Sequence, residues 1–108
     1  MKVLFIGRFQ PFHPGHAAVI EKLQDQKRDV VVAVRDTPLN EDNPFTVDER
    51  LTLIRSKFPE IEIIVIPDIE EVAYGRKPGW KFNEVRLDKM MEKISGSSLR
   101  KGMKDGTT

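Results

Sequence analysis

Three observations predict an α/β fold with a mostly parallel sheet flanked by helices. Short apolar runs at residues 3–6, 30–34 and 61–66 alternate with stretches whose apolar residues recur at helical spacing. The middle run is continuous and β-branched, as suits a central strand covered on both faces. A β-α-β-α-β order then calls for parallel pairing through right-handed crossovers.

Residues 2–7 form the first strand. Pro14 suits a first helical turn, where its missing N–H is no loss, and Ala17, Ile20 and Leu23 recur at helical spacing to about Gln26. Asp29 precedes the second strand, and residues 35–45, rich in Asp, Pro and Asn, read as a loop. Thr46 and Glu49 have capping-box spacing. The helix they open carries Leu51, Ile54 and Phe58 toward the core, and Pro59 ends it. Residues 61–66 form the third strand.

Beyond it, only Pro67 and Asp68 precede the next extended run, residues 69–74, and two residues cannot make a parallel crossover. A bent continuation, an edge hairpin and a short helical turn all stand open there. Arg76-Lys77-Pro78-Gly79 is a turn signal, followed by an extended stretch at 80–87. Residues 88–93 form a short helix or a connection, and Ser97 or Ser98 caps a last helix through Lys104. Residues 105–108 fray. With no repeat, low-complexity tract or linker, residues 1–108 are expected to be a single domain.

Composition narrows the function. A formal net charge of +1 gives no global attraction to nucleic acid or membrane, so small-molecule partners are expected. The absence of cysteine excludes disulfides and thiolate metal sites. Arg8 and Gln10 cut short an apolar start that resembles a secretion signal, and no segment approaches the ~20 apolar residues of a membrane span. A cytoplasmic location is expected. A sheet with few covering helices leaves edges and apolar faces to hide, which points to a homo-oligomer.

The most informative stretch is Gly7-Arg8-Phe9-Gln10-Pro11-Phe12-His13-Pro14-Gly15-His16. It hands the first strand over to a helix N-terminus, where unpaired N–H groups and the helix dipole attract anions. His13 and His16 can each donate an N–H to one phosphate and, if protonated, offset charge in a transition state. Gly15 lets a nucleotide approach the backbone, and Arg8 offers a planar fork for phosphate. A zinc site would need carboxylates to complete it. G-x-G-x-x-G and Walker-type loops are absent.

A second constellation, Ile94-Ser95-Gly96-Ser97-Ser98-Leu99-Arg100-Lys101, offers hydroxyls and cations around a helix start. Alone it reads as a cap beside a solvated basic pair; beside the first motif it reads as a second phosphate pocket.

The first motif resembles the H-x-G-H signature of the nucleotidyltransferase superfamily, in the form found in archaeal-type nicotinamide mononucleotide adenylyltransferases. Residues 94–100 resemble the family's I-S-x-T-x-x-R signature, with Ser97 in the threonine position. Asn43-Pro44-Phe45-Thr46-Val47-Asp48-Glu49-Arg50 is similar to the segment that opens its second helix. The resemblance implies a Rossmann-like nucleotidyltransferase fold. It also implies attack by a substrate phosphate on the α-phosphorus of ATP or CTP, with release of pyrophosphate and no covalent intermediate. His13, His16 and Arg100 would be catalytic. Gly7, Arg8, Phe9, Gln10, Gly15, Ser95 and Ser97 would join them in binding the nucleotide. Mg²⁺ would bridge phosphates and keep mostly water and substrate ligands, so no protein metal ligand is named.

The chain is shorter than most adenylyltransferases of this class, and it lacks a clear helix between its third and later strands. Acceptor binding falls in that divergent part. Arg76 and Trp80 suit an acceptor phosphate or base; the competing reading is a hairpin turn with Trp80 in the core or at a dimer contact. Arg35, just past the second strand, is a further acceptor candidate. Arg50 reads as a surface or helix-packing residue, with a nucleotide role left open by the resemblance. Three functions follow: adenylyl transfer, with nicotinamide mononucleotide a candidate acceptor; cytidylyl transfer to a polyol or choline phosphate; and a nucleotide-binding module without turnover. The Gly-Arg-Phe-Gln opening favours the first.

Overall fold

The computed structural model describes residues 1–85. Strands β1 (Lys2–Gly7), β2 (Asp29–Asp36) and β3 (Glu62–Pro67) alternate with helices α1 (Pro14–Asp25) and α2 (Val47–Lys57). The strands lie side by side in chain order, all parallel. The expected mostly parallel sheet is present, and β2 is its central strand, with Val30, Val31, Val32, Ala33 and Val34 all buried.

Register places Phe5 beside Val32 and Val32 beside Ile63, so one face carries an apolar row across all three strands. Ile20 and Leu23 of α1 and Ile54 of α2 pack with Val30, Val32 and Val34 in one core cluster. Each such side chain contributes roughly 1.5–3 kcal/mol of burial. On alternate positions Val31 and Ala33 are buried, but Leu4, Ile6 and Ile64 remain substantially exposed. No helix among the described residues is long and apolar enough to cross a membrane.

Local chemistry explains the helix ends. Thr46 Oγ1 accepts the Glu49 N–H at 3.1 Å while Glu49 Oε1 accepts the Thr46 N–H at 2.9 Å. Those bonds hold the Glu49 carboxyl below its usual range. α1 closes in a Schellman arrangement: the Arg28 N–H reaches the Leu23 carbonyl and the Lys27 N–H the Gln24 carbonyl. Lys27 takes the left-handed position, at φ 62°.

Residues 69–74 form none of the three expected elements; they run on without regular hydrogen bonding. Residues 80–85 of the expected extended stretch likewise carry no strand pairing, and Val85 packs partly against the core. The outer edge of β3 therefore has no strand partner among the described residues. The turn at 76–79 is present, with Gly79 at φ 85°. Trp80 is 68% exposed, which removes the core reading of that ring. The expected elements after residue 85 lie outside the described residues.

Because the strands are parallel, Gly7, Asp36 and Pro67 all end at one edge of the sheet. The β1–α1 and β2–α2 loops meet there, the edge at which open α/β sheets bind ligands.

Candidate active site

At that edge the two histidines cap α1 for each other. His13 is the N-cap, in extended backbone, and its Nδ1 accepts the Gly15 N–H at 3.0 Å. His16 Nδ1 reaches back to accept the His13 N–H at 3.2 Å. The result is a capping box built from imidazoles in place of the usual hydroxyl and carboxylate. A neutral ring that accepts at Nδ1 carries its proton at Nε2, so both rings hold an Nε2–H donor at the helix start. The rings stack with centroids 3.7 Å apart.

Burial lowers the pKa of His13; burial and then the neighbouring His13 push His16 down to about 3. Both are therefore neutral donors at pH 7 in the free protein. The protonated form entertained from sequence is disfavoured twice, by desolvation and because a proton on Nδ1 would break the cap. Among the described residues no third metal-ligating side chain gathers with the pair.

Aromatic packing sets the ring positions. Phe9 is buried at φ 53°, and its ring meets His16 edge-on at 4.8 Å. Phe12 stacks on His16 at 5.6 Å. Gly7 is a glycine for packing reasons: a Cβ there would sit 2.9 Å from the Phe9 ring.

Three polar braces tie the β1–α1 loop to the β2–α2 loop. Gln10 is buried; its Nε2 donates to Thr37 Oγ1 and to the Phe45 carbonyl, each at 3.0 Å, and its Oε1 accepts the Phe45 N–H at 2.9 Å. Arg8 Nη1 donates to Asn43 Oδ1 at 3.2 Å. Arg50 Nη1 donates to the carbonyls of Arg8 and Arg35, each at 2.7 Å, and its Nε donates to the Thr46 carbonyl. The Phe9 and Gln10 side chains are thus spent on the interior.

Arg50 is fully buried, so the surface reading is corrected and the packing reading holds. Its Nη2 is buried without a hydrogen-bond partner among the described residues. Burial lowers its pKa while Asp36 opposes the shift; a guanidinium keeps its charge throughout. Spacing held the clue: Arg50 precedes the buried Ile54 by four residues, on the same helix face. Asn43, 8% exposed, was quoted only as part of a resembling segment and given no role.

Arg35 stands at the end of β2, where its guanidinium grips Asp68 Oδ1 at 2.7 Å and the Ile69 carbonyl at 2.8 Å. It fastens the segment after β3 to the sheet. Arg76 and Trp80 are exposed in that segment, and Trp80 packs edge-on to Phe82, itself stacked on Tyr74. Ser95, Ser97 and Arg100 lie outside the described residues. A surface cleft of about 460 Å³ lined by Arg28, Asp29, Lys57, Phe58 and Glu62 sits at the opposite edge of the sheet, away from both histidines.

Comparison with known proteins bears on this geometry. A family model described as cytidylyltransferase-like matches residues 4–79, which include the histidine motif and both braced loops. The nicotinamide-nucleotide adenylyltransferase of Halobacterium salinarum is 32% identical over 132 aligned positions, covering 94% of this chain and 75% of that protein. The enzyme of the same name from Methanococcus aeolicus is 35% identical over 77 positions, covering 65% of this chain and 44% of its own length. Among solved structures, a bifunctional NMN adenylyltransferase/ADP ribose pyrophosphatase from Francisella tularensis, complexed with AMP and a manganese ion, is 33% identical at a TM-score of 0.46. That match covers 59% of this chain and 21% of that one. The chain thus spans three quarters of the haloarchaeal relative and under half of the methanococcal one. With its parallel Rossmann-like sheet and paired histidines at the first helix, the chain belongs to the cytidylyltransferase-like family.

Proposed function

We propose that this chain is a nucleotidyltransferase that moves AMP from ATP to nicotinamide mononucleotide and releases pyrophosphate. The relatives' names favour adenylyl over cytidylyl transfer. On the chain itself, the observation that carries the reading is the pair of Nε2–H donors held by mutual capping at the start of α1.

A phosphate oxygen of the acceptor attacks the α-phosphorus of ATP; that P–O bond forms as the bond to the bridging α,β-oxygen breaks, and pyrophosphate leaves. The protein aligns the two phosphates and stabilises charge at the pentacoordinate centre. His13 and His16 donate to phosphate oxygens through Nε2. As neutral donors they bind without gaining or losing a proton, and the cap bonds to Nδ1 stay in place. Gly7, Gly15 and the backbone of Phe9 and Gln10 shape the loop around the nucleotide, and Arg8 supplies charge. Ser95, Ser97 and Arg100, by their motif, hold the β- and γ-phosphates. Arg35, Arg76 and Trp80 are the acceptor-side candidates. Mg²⁺ arrives with ATP as part of the substrate, ligated by phosphate oxygens and water. The exposed Leu4, Ile6 and Ile64 support a homo-oligomer of this single domain.

Incubation with MgATP and nicotinamide mononucleotide should release pyrophosphate and form the dinucleotide. His16→Ala should abolish turnover with the fold retained by circular dichroism. Pyrophosphate from CTP and glycerol phosphate instead would assign cytidylyl transfer, and nucleotide binding without pyrophosphate would make this a binding module. Sedimentation showing only monomer at micromolar protein would count against the oligomer.

A further inference from the structure

We propose that Asn43 is a positioning residue that aims the Arg8 guanidinium at the nucleotide's phosphates; this rests on the adenylyltransferase reading above. Arg8 follows directly on β1 and belongs to the loop that delivers the histidines. A long guanidinium on a loop samples many rotamers, and holding one of them costs about 2 kcal/mol of side-chain entropy. Something must restrict it before the nucleotide arrives.

Asn43 has the geometry for this. Its Oδ1 accepts from Arg8 Nη1 at 3.2 Å. Its own amide cannot turn over, because Nδ2 donates to Asn40 Oδ1 at 3.1 Å. A flipped amide would set an NH₂ against the guanidinium and an oxygen against an oxygen. Asn40 is anchored in turn: its Oδ1 also accepts the N–H groups of Asp42 and Asn43, each at 2.9 Å. The two backbones close the buckle, with each residue's N–H on the other's carbonyl at 3.2 Å. One guanidinium N–H is engaged by a neutral acceptor, so Arg8 keeps its full charge for phosphate. Arg50 completes the mount by holding the Arg8 carbonyl.

The test is ATP affinity, read as an equilibrium Kd without acceptor and as KM in turnover. Asn43→Ala should raise both about tenfold, the weight of a lost hydrogen bond to a charged group, while kcat changes less than about threefold. Asn43→Asp, which sets a carboxylate against Arg8 and an oxygen against Asn40 Oδ1, should weaken ATP at least as much as Asn43→Ala, because the ion pair takes the charge meant for phosphate. In an Arg8→Ala background, Asn43→Ala should add nothing, since its effect passes through that guanidinium. Unchanged affinity in Asn43→Ala, wild-type affinity in Asn43→Asp, or multiplicative effects with Arg8→Ala would each overturn the proposal. If Asn43→Ala does not fold, Asn40→Ala replaces it: freeing the Asn43 amide should weaken ATP several-fold, and unchanged affinity there also overturns it. Wild-type protein that binds ATP yet transfers nothing to nicotinamide mononucleotide refutes the proposed reaction and leaves Asn43 judged on Kd. Wild-type protein that binds no ATP refutes both.

Discussion

His13 and His16 stack at 3.7 Å, and each takes a backbone N–H of the α1 start on its Nδ1. The same two bonds cap the helix and fix which nitrogen of each ring faces outward. Helix stability and the geometry of the proposed site are therefore one arrangement, and acid should attack both together.

Stability should fall as pH drops below the ordinary histidine value. In the unfolded chain these imidazoles titrate near 6.5; in the folded protein both are lowered, His16 to about 3. Between those values the unfolded state binds more protons, so stability is fully present above about pH 6.5 and declines toward pH 3. The decline is at most about 1.4 kcal/mol per pH unit for each proton taken up. Urea midpoints measured from pH 7.5 to 5 should show it, and His16→Asn should flatten the slope. Superimposable slopes would refute the assignment.

Gly7→Ala should destabilise and inactivate together. The new Cβ would sit 2.9 Å from the buried Phe9 ring, which packs against Phe5, Phe12 and His16. Overpacking of this kind costs about 1–3 kcal/mol, and relief by moving Phe9 disturbs the rings around it, His16 among them. Retained activity with wild-type melting would show that the loop absorbs the methyl group.

Arg50→Met should lower stability by roughly 1–3 kcal/mol, because it removes the guanidinium's bonds to three carbonyls; Thr46 keeps the Arg50 N–H and Arg35 keeps the Thr37 N–H, so the Arg8 carbonyl loses most. Arg50→Lys should recover only part, since an ammonium lacks the planar fork that spans two loops. Chemical denaturation decides it; a loss below about 1 kcal/mol in both variants would mean that other bonds carry the loops.

Lys27→Gly should stabilise the protein. Lys27 holds the left-handed position that closes α1, at φ 62°, where a β-carbon costs about 1 kcal/mol. The exposed side chain offers little packing in exchange. The expected gain is a rise in melting temperature with unchanged ATP affinity. A lower melting temperature would show that Lys27 earns its place by another contact.

Most of the fold was legible locally. Val30 to Val34 announced a central strand because continuous β-branched runs have no polar face to show water. Thr46 and Glu49 announced the start of α2 because a capping box closes within four residues. Residues 69–85 were not legible in this way: no periodicity organises them, and their start is fastened by Arg35 reaching Asp68 and the Ile69 carbonyl across 33 and 34 positions. The histidine motif marked the site, but not how its rings are held.

The order of residues alone determined the strands, the two helices and the loop that bears the histidines, since each depends on neighbours a few positions apart; the alternation of those elements then implied the parallel sheet. Tertiary structure alone decided that Arg50 is buried, that Gln10 and Asn43 clasp one loop to another, and that Trp80 faces solvent. The first two outcomes depend on groups 15 to 42 positions apart meeting at one sheet edge. Hydrogen bonds across such distances leave no periodic trace in a chain; they exist only once parallel strands have brought their C-terminal ends together.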